Sequence, residues 1–422
     1  MSTKFFSLLF LLLFFANVSS AQDKIIFDIK IRGAKKTKPS FIKKILVSKS
    51  GEALDSLTLK NDIARLRRLP AISHAYFQVF YSHDNFYNVY IDVQENFTII
   101  PFANFYTTND DEFAYRVGVN EFNFLGQGVN IGGFFQRDIF NSHAINFRAP
   151  FLFSRKLGLA FNYQSLTTLE PVFFDNTTAD YKYNNTSYEL LGLYQFDFHH
   201  RVELGLNLFT EDYAYVSGAT NPNVPQELVV DKSLIKLIYE YNNLDYYFES
   251  VSGFRSVFNF QYVTAQGDVL PDFSIWWNDF LYYKRVGERG NWANRLRVGF
   301  ASNEDTPFAP FSVENNLNIR GVGNVIDRGT GVIVLNTEYR HILYKKNNIT
   351  VQGNAFIDAG SWRNPGGDFG DFSDQDNLRV YPGLGIRFIH KKIYNAVFRV
   401  DYGYGITKNG TQGFVFGIGQ YF

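Results

Sequence analysis

The stretch "FAYRVGVNEFNFLGQGVNIGGFFQRDIF", residues 113–140, decides the fold class. Apolar and polar residues alternate on both sides of "LGQG", a glycine-containing turn, and this is the pattern of a β-hairpin. Alternating segments of roughly ten residues recur towards the last residue, among them "KLGLAFNYQ", "VELGLNLFTEDY", "RSVFNFQYVTA" and "NRLRVGFAS". The pattern predicts strands and turns over residues 98–422.

Composition indicates where such strands would lie. Aromatic residues make up 18% of the 422 residues, with 45 Phe and 27 Tyr, and the chain also contains 33 Gly. About 325 residues at roughly 20 per strand and turn predict a transmembrane antiparallel β-barrel of about 16 strands. The alternative is a soluble β-sandwich or propeller, in which so many aromatic side chains are hard to place. Asn-rich segments such as "FFDNTTADYKYNNTS" and "SGATNPNVPQE" are interpreted as long turns.

Charge and cysteine content exclude several classes of protein. Lys and Arg number 41 and Asp and Glu number 41, a zero balance that argues against nucleic acid as a partner. The chain has no Cys, which excludes disulfides, thiolate metal sites and a cysteine nucleophile.

The first residues predict export. Lys4 precedes an apolar run from Phe5 to Ala16, and Ser19 and Ala21 occupy the positions of a cleavage site. This pattern predicts a signal peptide over residues 1–21. The alternative is a membrane anchor, but the run is short of the ~20 residues that a spanning helix needs. An exported chain without such a helix enters a membrane only as a closed barrel.

Residues 22–97 read differently from the rest and predict a small α+β domain. A strand from Ile25 to about Arg32 precedes a helix that starts at Pro39 and a longer helix with Ser56 as its N-cap. Two alternating segments follow, joined by the polar turn "SHDN". The predicted order is therefore β-α-α-β-β.

The last segment, "GFVFGIGQYF", is interpreted as a closing barrel strand. Alternate residues of one parity are apolar and are predicted to face lipid as a C-terminal barrel signal: Phe414, Phe416, Ile418 and Phe422. Val415, Gly417, Gly419 and Tyr421 take the other face.

These motifs carry a family resemblance over nearly the whole exported chain. The first domain resembles a single POTRA domain in "IKIRGAKKTK", "DIARLRRLPAISHAYFQVF" and "VYIDVQEN". The rest resembles the barrel of the outer-membrane assembly and translocation superfamily that includes BamA, TamA and the two-partner-secretion transporters. Six motifs in order carry this part, namely "NEFNFLGQGVNI", "NIRGVG", "LNTEYR", "AFIDAG", "YPGLGIRF" and "FVFGIGQYF".

The resemblance implies an ion pair inside the barrel. It places Arg320 and Gly321, with Asn318 and Ile319 before them, in a loop around residues 312–330 that folds into the lumen. It also places the motif from Phe356 to Gly360 on the inner wall, so that Arg320 pairs with Asp358. The chain departs from the family pattern at Asn315, Asn316 and Val322.

Strand parity supports the same pair without the resemblance. Gln352, Asn354, Phe356 and Asp358 share one face of their strand, and Asn336, Glu338 and Arg340 share one face of theirs. A carboxylate on a lipid-facing side is costly, so Asp358 and Glu338 are predicted to point inward. A guanidinium can bind a carboxylate through two parallel hydrogen bonds, and a following glycine permits a tight backbone turn.

No catalytic motif is present, and the chain is predicted not to be an enzyme and to need no metal or cofactor. His199 and His200 are neighbours on a strand and would point to opposite faces. The segment with Asp368, Asp371, Asp374 and Asp376 is interpreted as a solvated loop rather than a calcium site.

The sequence therefore predicts a bacterial outer-membrane protein, with its POTRA domain in the periplasm, that inserts other outer-membrane proteins or translocates an exported polypeptide. The partners implied are unfolded polypeptides bound at the POTRA edge strand, and the lipid bilayer. Periplasmic or lipoprotein partners remain open. The alternatives are a translocator dedicated to one partner protein or lipid, and a passive channel for small solutes.

Overall fold

The computed structural model describes residues 24–107, 113–174, 177–222, 224–247, 249–266, 271–304, 309–313, 318–322 and 327–422. The predicted signal peptide, residues 1–21, lies outside the described residues, as do Asn315 and Asn316. In the described part of the chain, no helix has the length and apolar character needed to cross a membrane.

Residues 24–97, the N-terminal unit, form a three-stranded sheet with two helices on one face. In chain order the elements are β1 (Ile25–Arg32), α1 (Pro39–Ile45), α2 (Ser56–Arg67), β2 (Ile72–His83) and β3 (Phe86–Glu95). The strand order is β1-β3-β2, with β1 parallel and β2 antiparallel to β3. This is the predicted order of elements, and β2 and β1 form the two edges of the sheet.

Local sequence explains the elements of this unit. The carboxylate of Asp55 accepts hydrogen bonds from the backbone N–H groups of Leu57 and Thr58, and Asp55 has the extended backbone of an N-cap. The prediction that Ser56 is the N-cap is wrong, since Ser56 is the first helical residue. Asp84 and Asn85 both have positive φ and make the two-residue turn between β2 and β3. Alternate strand residues and one face of each helix fill the core: Ile26, Ile29, Ile42, Ile45, Leu59, Leu66, Val89 and Ile91.

Seventeen of the described strands form one large sheet. Its first and last strands in the hydrogen-bonded order are neighbours, so the sheet is a closed barrel. Neighbours with a defined register run antiparallel. The strands are β4 (Ile99–Thr107), β5 (Phe113–Phe124), β6 (Val129–Arg137), β7 (Asn141–Ala149), β8 (Leu157–Phe174), β9 (Thr177–Gln195), β10 (His200–Gly218), β11 (Glu227–Asn242), β12 (Asp245–Tyr247), β13 (Ser250–Ala265), β14 (Phe273–Val286), β15 (Gly290–Ala301), β18 (Gly331–Lys346), β19 (Ile349–Arg363), β20 (Leu378–His390), β21 (Val397–Tyr404) and β22 (Gln412–Ile418).

One member of this sheet is minor. The strand β12 has three residues and pairs with the start of β13, while β11 pairs directly with β13. Sixteen longer strands therefore make up the ring, which agrees with the predicted number of about 16. A separate two-stranded hairpin, β16 (Phe311–Val313) with β17 (Asp327–Gly329), lies in the connection between β15 and β18.

Side chains alternate across the barrel wall as the pleat requires. On β10, Leu204, Leu206 and Leu208 are exposed on the outer face, whereas Glu203 and Glu211, of the opposite parity, are buried. The outer surface is therefore apolar and the interior polar, which is the arrangement of a barrel that meets lipid on its outside.

The two ends of the barrel differ. At one end, which we call the short-turn end, connections are brief, as at residues 125–128, 287–289 and 347–348. We call the other end the long-loop end. The strands β8 to β11, which are connected there in pairs, have 16 to 19 residues, more than the roughly 10 that a strand needs to cross a membrane. The interpretation of "FFDNTTADYKYNNTS" as a long turn is wrong, because β8 and β9 run through most of it.

The N-terminal unit packs against the short-turn end of the barrel. The backbone N–H of Lys38 donates to the carbonyl of Gly126 at 2.9 Å. The ammonium of Lys44 donates to the carbonyl of Phe151 at 2.7 Å. The guanidinium of Arg68 donates to the carbonyl of Phe198 at 2.9 Å and lies 4.0 Å from the centre of that ring. Three successive turns of the barrel thus hold the unit through its helices and the loop before α1.

That loop is itself fixed by one carboxylate. Glu95, at the end of β3, accepts hydrogen bonds from the backbone N–H groups of Lys35, Lys36 and Thr37 at 2.7 to 3.2 Å. A Cβ on Gly126 would lie 2.2 Å from the carbonyl oxygen of Lys36, so the turn and the loop are in backbone contact. Glu95 therefore shapes the surface by which the unit meets the barrel.

We predict that Glu95→Gln weakens this loop in a pH-dependent way. Burial opposes ionisation, but the N–H groups of Thr37, Lys36 and Lys35 outweigh it and leave the pKa of Glu95 below its usual value. The stabilisation is present above the unfolded pKa of about 4.3 and is lost as pH falls through the lower folded pKa. Losing charge-assisted hydrogen bonds at neutral pH should cost about 1–2 kcal/mol.

Urea titration of the full chain, followed by proteolysis of the N-terminal unit at neutral and acidic pH, measures this effect. The control is Glu52→Gln, which removes the other glutamate of the unit at an exposed position. An equal loss of stability in both variants, or a Glu95→Gln variant with unchanged acid sensitivity, would contradict the role given to Glu95.

Candidate functional site

The connection between β15 and β18 enters the barrel, and its described tip, residues 318–322, is buried throughout. Ile319 and Val322 lie in an apolar cluster with side chains of the inner wall. The wall residues of this cluster are Val332, Val334, Trp362 and Tyr381. The sequence of the tip alternates apolar and polar residues, so that Arg320 projects from between these two anchors.

Arg320 is fully buried and is bound by the carboxylates predicted from strand parity. Its Nε and Nη2 donate to the two oxygens of Asp358 at 2.8 and 2.9 Å. Its Nη1 donates to Glu338 at 2.6 Å, and its backbone N–H donates to Asp358 at 3.0 Å. One guanidinium therefore joins the loop tip to β18 and β19 at once, and we call this group and its neighbours the luminal charge cluster.

The cluster extends to charged residues on β20 and β21. Asp401 of β21 lies 3.7 Å from Nη1 of Arg320 and accepts a hydrogen bond from Arg399 at 3.2 Å. Glu338 also accepts from Arg387 of β20 at 3.0 Å and from Arg340. Arg387, Arg399 and Asp401 occupy alternate inward positions on the last long strands, and that parity was the signal that could have identified them.

Two aromatic rings sandwich the guanidinium. Its central carbon lies 3.6 Å from the ring centre of Phe356 and 4.5 Å from that of Tyr421. Desolvated contacts of this kind contribute about 2 kcal/mol each. Phe356 of the predicted wall motif thus faces Arg320 together with Asp358, while Tyr421 adds a contact from the end of the chain.

Small residues allow the loop backbone to approach the wall. Gly321 has φ of 97°, and a Cβ on it would lie 2.6 Å from the Cα of Gly403 on β21. A Cβ on Gly360 would lie 2.8 Å from the Cδ1 of Ile319. Asn318 accepts a hydrogen bond from Arg295 at 2.9 Å through its side chain. All of the predicted loop and strand motif residues therefore meet at one place on the inner wall.

The end of the chain requires a correction. The strand β22 stops at Ile418, and Gly419 has φ of 90°, which breaks the alternation of the strand. Phe422 consequently packs with inward-facing Leu281 and Tyr283 instead of facing lipid. The guanidinium of Arg340 lies 5.6 Å from its ring centre. The predicted outward position of Phe422 is wrong, whereas Phe414, Phe416 and Ile418 are exposed on the outer face.

A second ion pair spans the lumen. Arg328 on β17, in the hairpin within the loop, donates to Glu170 on β8 at 2.5 Å, and β8 lies far from β15 and β18 in the barrel order. Asp327 accepts a hydrogen bond from Nη2 of Arg379 on β20 at 3.2 Å. The base of the loop is thus tied through Asp327 to β20, beside the wall that holds the tip, and through Arg328 to β8.

The chemistry of this site is ionic and structural. Three carboxylates, on Glu338, Asp358 and Asp401, pair with four buried arginines. Removing one member of such a group leaves a buried charge without its partner. Among the described residues, no group of three or more His, Asp or Glu side chains is arranged to hold a metal ion. The arrangement fixes the loop against the inner wall.

Known proteins resemble this chain in sequence over the barrel and in overall fold. The family model of the Omp85 superfamily domain matches residues 123–422. Among solved structures, CdiB from Acinetobacter baumannii is similar with a TM-score of 0.62 and 14% identity over 94% of this chain and 74% of that chain. CdiB from Escherichia coli gives a TM-score of 0.58 and 12% identity over 93% and 75%.

A third similar structure is BamA from Haemophilus ducreyi lacking POTRA domains 1-3. It gives a TM-score of 0.54 and 14% identity over 93% of this chain and 83% of that chain. At these identities the likeness concerns the fold. No curated protein matches the chain.

We predict that Arg320 and Asp358 are energetically coupled. Arg320→Ala and Asp358→Ala should each lower the stability of the barrel by about 3–5 kcal/mol, because each leaves a buried charge. The double variant should lose less than the sum, with a coupling energy of roughly 1–3 kcal/mol. Urea-dependent loss of the heat-modifiable electrophoretic band in detergent measures the cycle.

The matched control is a second loop-to-wall pair, Arg328 and Glu170, which is partly exposed. Its single alanine variants should cost less than about 1 kcal/mol. Strict additivity of the Arg320 and Asp358 effects would show that the two side chains do not act as a pair.

We also predict that Tyr421 holds the loop through its ring. Tyr421→Ala should increase hydrogen exchange at residues 319–322 by roughly ten- to thirtyfold, which is the loss of about 2 kcal/mol of stacking. Tyr421→Phe keeps the ring and should retain most of the protection. The control Phe416→Ala removes an outward ring from β22. If this control raised hydrogen exchange at residues 319–322 as much as Tyr421→Ala does, a specific role for Tyr421 would be refuted.

Proposed function

The chain belongs to the Omp85 superfamily, and on that premise we propose that it is an outer-membrane protein that inserts other outer-membrane proteins or translocates an exported polypeptide. We assign residues 22–97 to a periplasmic POTRA domain and residues 98–422 to the membrane barrel. On this assignment the short-turn end faces the periplasm, and the loop around residues 312–330 enters the lumen from outside.

The observation that carries the proposal is the free edge of β2. Among the described strands, this twelve-residue strand pairs with β3 on one side only. Exposed aromatic residues lie along it, namely Tyr76, Phe80 and Tyr81. An unpaired edge offers backbone N–H and C=O groups to an extended chain with little demand on its sequence. That is the recognition an unfolded polypeptide client requires.

The contacts of the N-terminal unit leave this edge available. The unit meets the barrel through the loop before α1, through Lys44 on α1 and through Arg68 after α2. The backbone of Phe97, after β3, also bonds that of Lys392 and Tyr394. None of these contacts involves β2, and no contact between β2 and the barrel occurs among the hydrogen bonds of the described residues. A client strand added at β2 would therefore extend a sheet that is already anchored beside the barrel.

The luminal charge cluster argues against the alternative of a passive solute channel. A permanently open pore needs an unobstructed lumen, whereas residues 318–322 lie against the inner wall inside the barrel and Arg328 ties the loop to β8.

In a membrane, an incoming strand lowers its free energy when its backbone groups find partners, since unpaired groups in lipid are costly. Insertion or translocation by strand pairing needs no catalytic residue.

Depletion of the protein, followed by proteomics of the outer membrane and the medium, tests the proposal. We expect depletion to lower the levels of client proteins and the full chain to restore them. In cells that carry a chain lacking residues 24–96, client levels should stay severalfold or more below normal. Loss of many barrel proteins would indicate general insertion, and loss of one exported protein would indicate dedicated translocation.

The control is Lys346→Gln, an exposed change away from both the β2 edge and the luminal charge cluster. Normal client levels in cells with a folded, truncated barrel would contradict the proposal. Flux of small solutes through the truncated and full chains would then test the channel alternative.

A further inference from the structure

Charge is distributed unevenly along a chain whose net charge is zero. Residues 24–97 contain 13 Lys and Arg against 7 Asp and Glu, while the whole chain contains 41 of each kind. The N-terminal unit is therefore strongly basic and the remainder is acidic. Such asymmetry is typical of a unit that meets a negatively charged surface.

Three of these cations are concentrated in the loop before α1. Lys35, Lys36 and Lys38 are exposed, and no ion pair between residues that the structure describes includes any of them. The two carboxylates near the loop are used otherwise: Glu95 accepts from backbone N–H groups of the loop, and Glu121 accepts from the N–H of Asn123 at 2.6 Å. The three lysines therefore form an exposed set without an ion-pair partner among the described residues.

Exposed apolar side chains lie beside these lysines. The turn after β5 presents Phe124 and Leu125, and its Gly126 is in backbone contact with the lysine loop. The ammonium of Lys36 lies 4.9 Å from the ring centre of Phe97, which is also exposed. Leu125 is 64% exposed although its φ of 55° lies in the left-handed region, where a bulky residue is uncommon. Neither exposure to water nor the left-handed backbone favours a leucine at this position.

The patch continues the apolar outer surface of the barrel. Val117 and Val119 on β5 and Ile99 at the start of β4 are exposed outward, directly before the short-turn end. We name the set formed by Lys35, Lys36, Lys38, Phe97, Phe124 and Leu125 the basic collar. Its apolar members adjoin the lipid-facing belt and its cations lie one layer beyond, which is the order of acyl chains and headgroups at a membrane interface.

We propose that the basic collar binds the headgroups of anionic phospholipids in the adjacent leaflet and so holds the N-terminal unit against the membrane. Leu125 and Phe124 would enter the boundary of the acyl chains, and the lysines would contact phosphate groups. A lysine beside an anionic surface contributes about a fivefold gain in affinity. The inference rests on the proposed placement of this end of the barrel in the membrane, and a polypeptide bound at the collar is the competing outcome.

Photocrosslinking in vesicles tests the collar on the full chain. A benzophenone amino acid replaces Leu125, and the protein is reconstituted in vesicles with equal amounts of tagged phosphatidylcholine and phosphatidylglycerol. We expect phosphatidylglycerol adducts to exceed phosphatidylcholine adducts by about fivefold or more, and to decline as salt is added. The combined change Lys35→Gln, Lys36→Gln and Lys38→Gln should bring the ratio close to one.

The matched control removes the same charge elsewhere in the unit through Lys24→Gln, Lys30→Gln and Lys60→Gln, and it should keep the ratio of the parent protein. Equal adducts with both lipids, no lipid adduct at all, or the same decline in both triple variants would overturn the proposal. So would crosslinking in cells that captures polypeptide instead of lipid. Because the vesicles contain no client, failure of the client assay would leave this result unaffected, and the reverse also holds.

Discussion

A guanidinium that is cut off from water must be met by carboxylates, and the interior of this barrel is built around that requirement at Arg320. The residue is fully buried, and two carboxylates accept its hydrogen bonds while a third lies 3.7 Å away. In a low-dielectric interior an unpaired charge costs several kcal/mol, so the loop cannot settle at a register that leaves Arg320 without Asp358. The path of the loop follows from this one residue.

The same residue couples elements that are distant in sequence. Arg320 contacts β18 through Glu338, β19 through Asp358 and the end of the chain through Tyr421. The end of the chain follows directly on β22, which neighbours β4 in the closed order of the sheet. The loop and the end of the last strand are therefore joined by a ring contact as well as through the barrel wall.

Periodicity predicted those parts of the structure in which the backbone stays regular. Alternation along β18 and β19 identified Glu338 and Asp358 as inward residues, because a strand side chain has only two faces. It failed at Phe422, since the positive φ of Gly419 breaks the alternation and no neighbouring residue reveals this. It also failed at residues 173–187, most of which belong to β8 and β9 although their polar sequence is typical of a turn. Asp401 was missed because partners on separate strands are brought together only by the barrel.

The choice of charges rather than apolar side chains for this contact has a physical consequence. An apolar plug of similar volume would be as stable, or more so, but could slide between several registers, whereas the forked guanidinium between Asp358 and Glu338 fits only one. Released from that position, the arginine and the carboxylates would be well hydrated in a polar lumen, while exposed leucines would adhere to any unfolded chain. A charged contact therefore gives the loop a single position on the inner wall without placing in the lumen an apolar surface that would adhere to the polypeptides that we propose as clients.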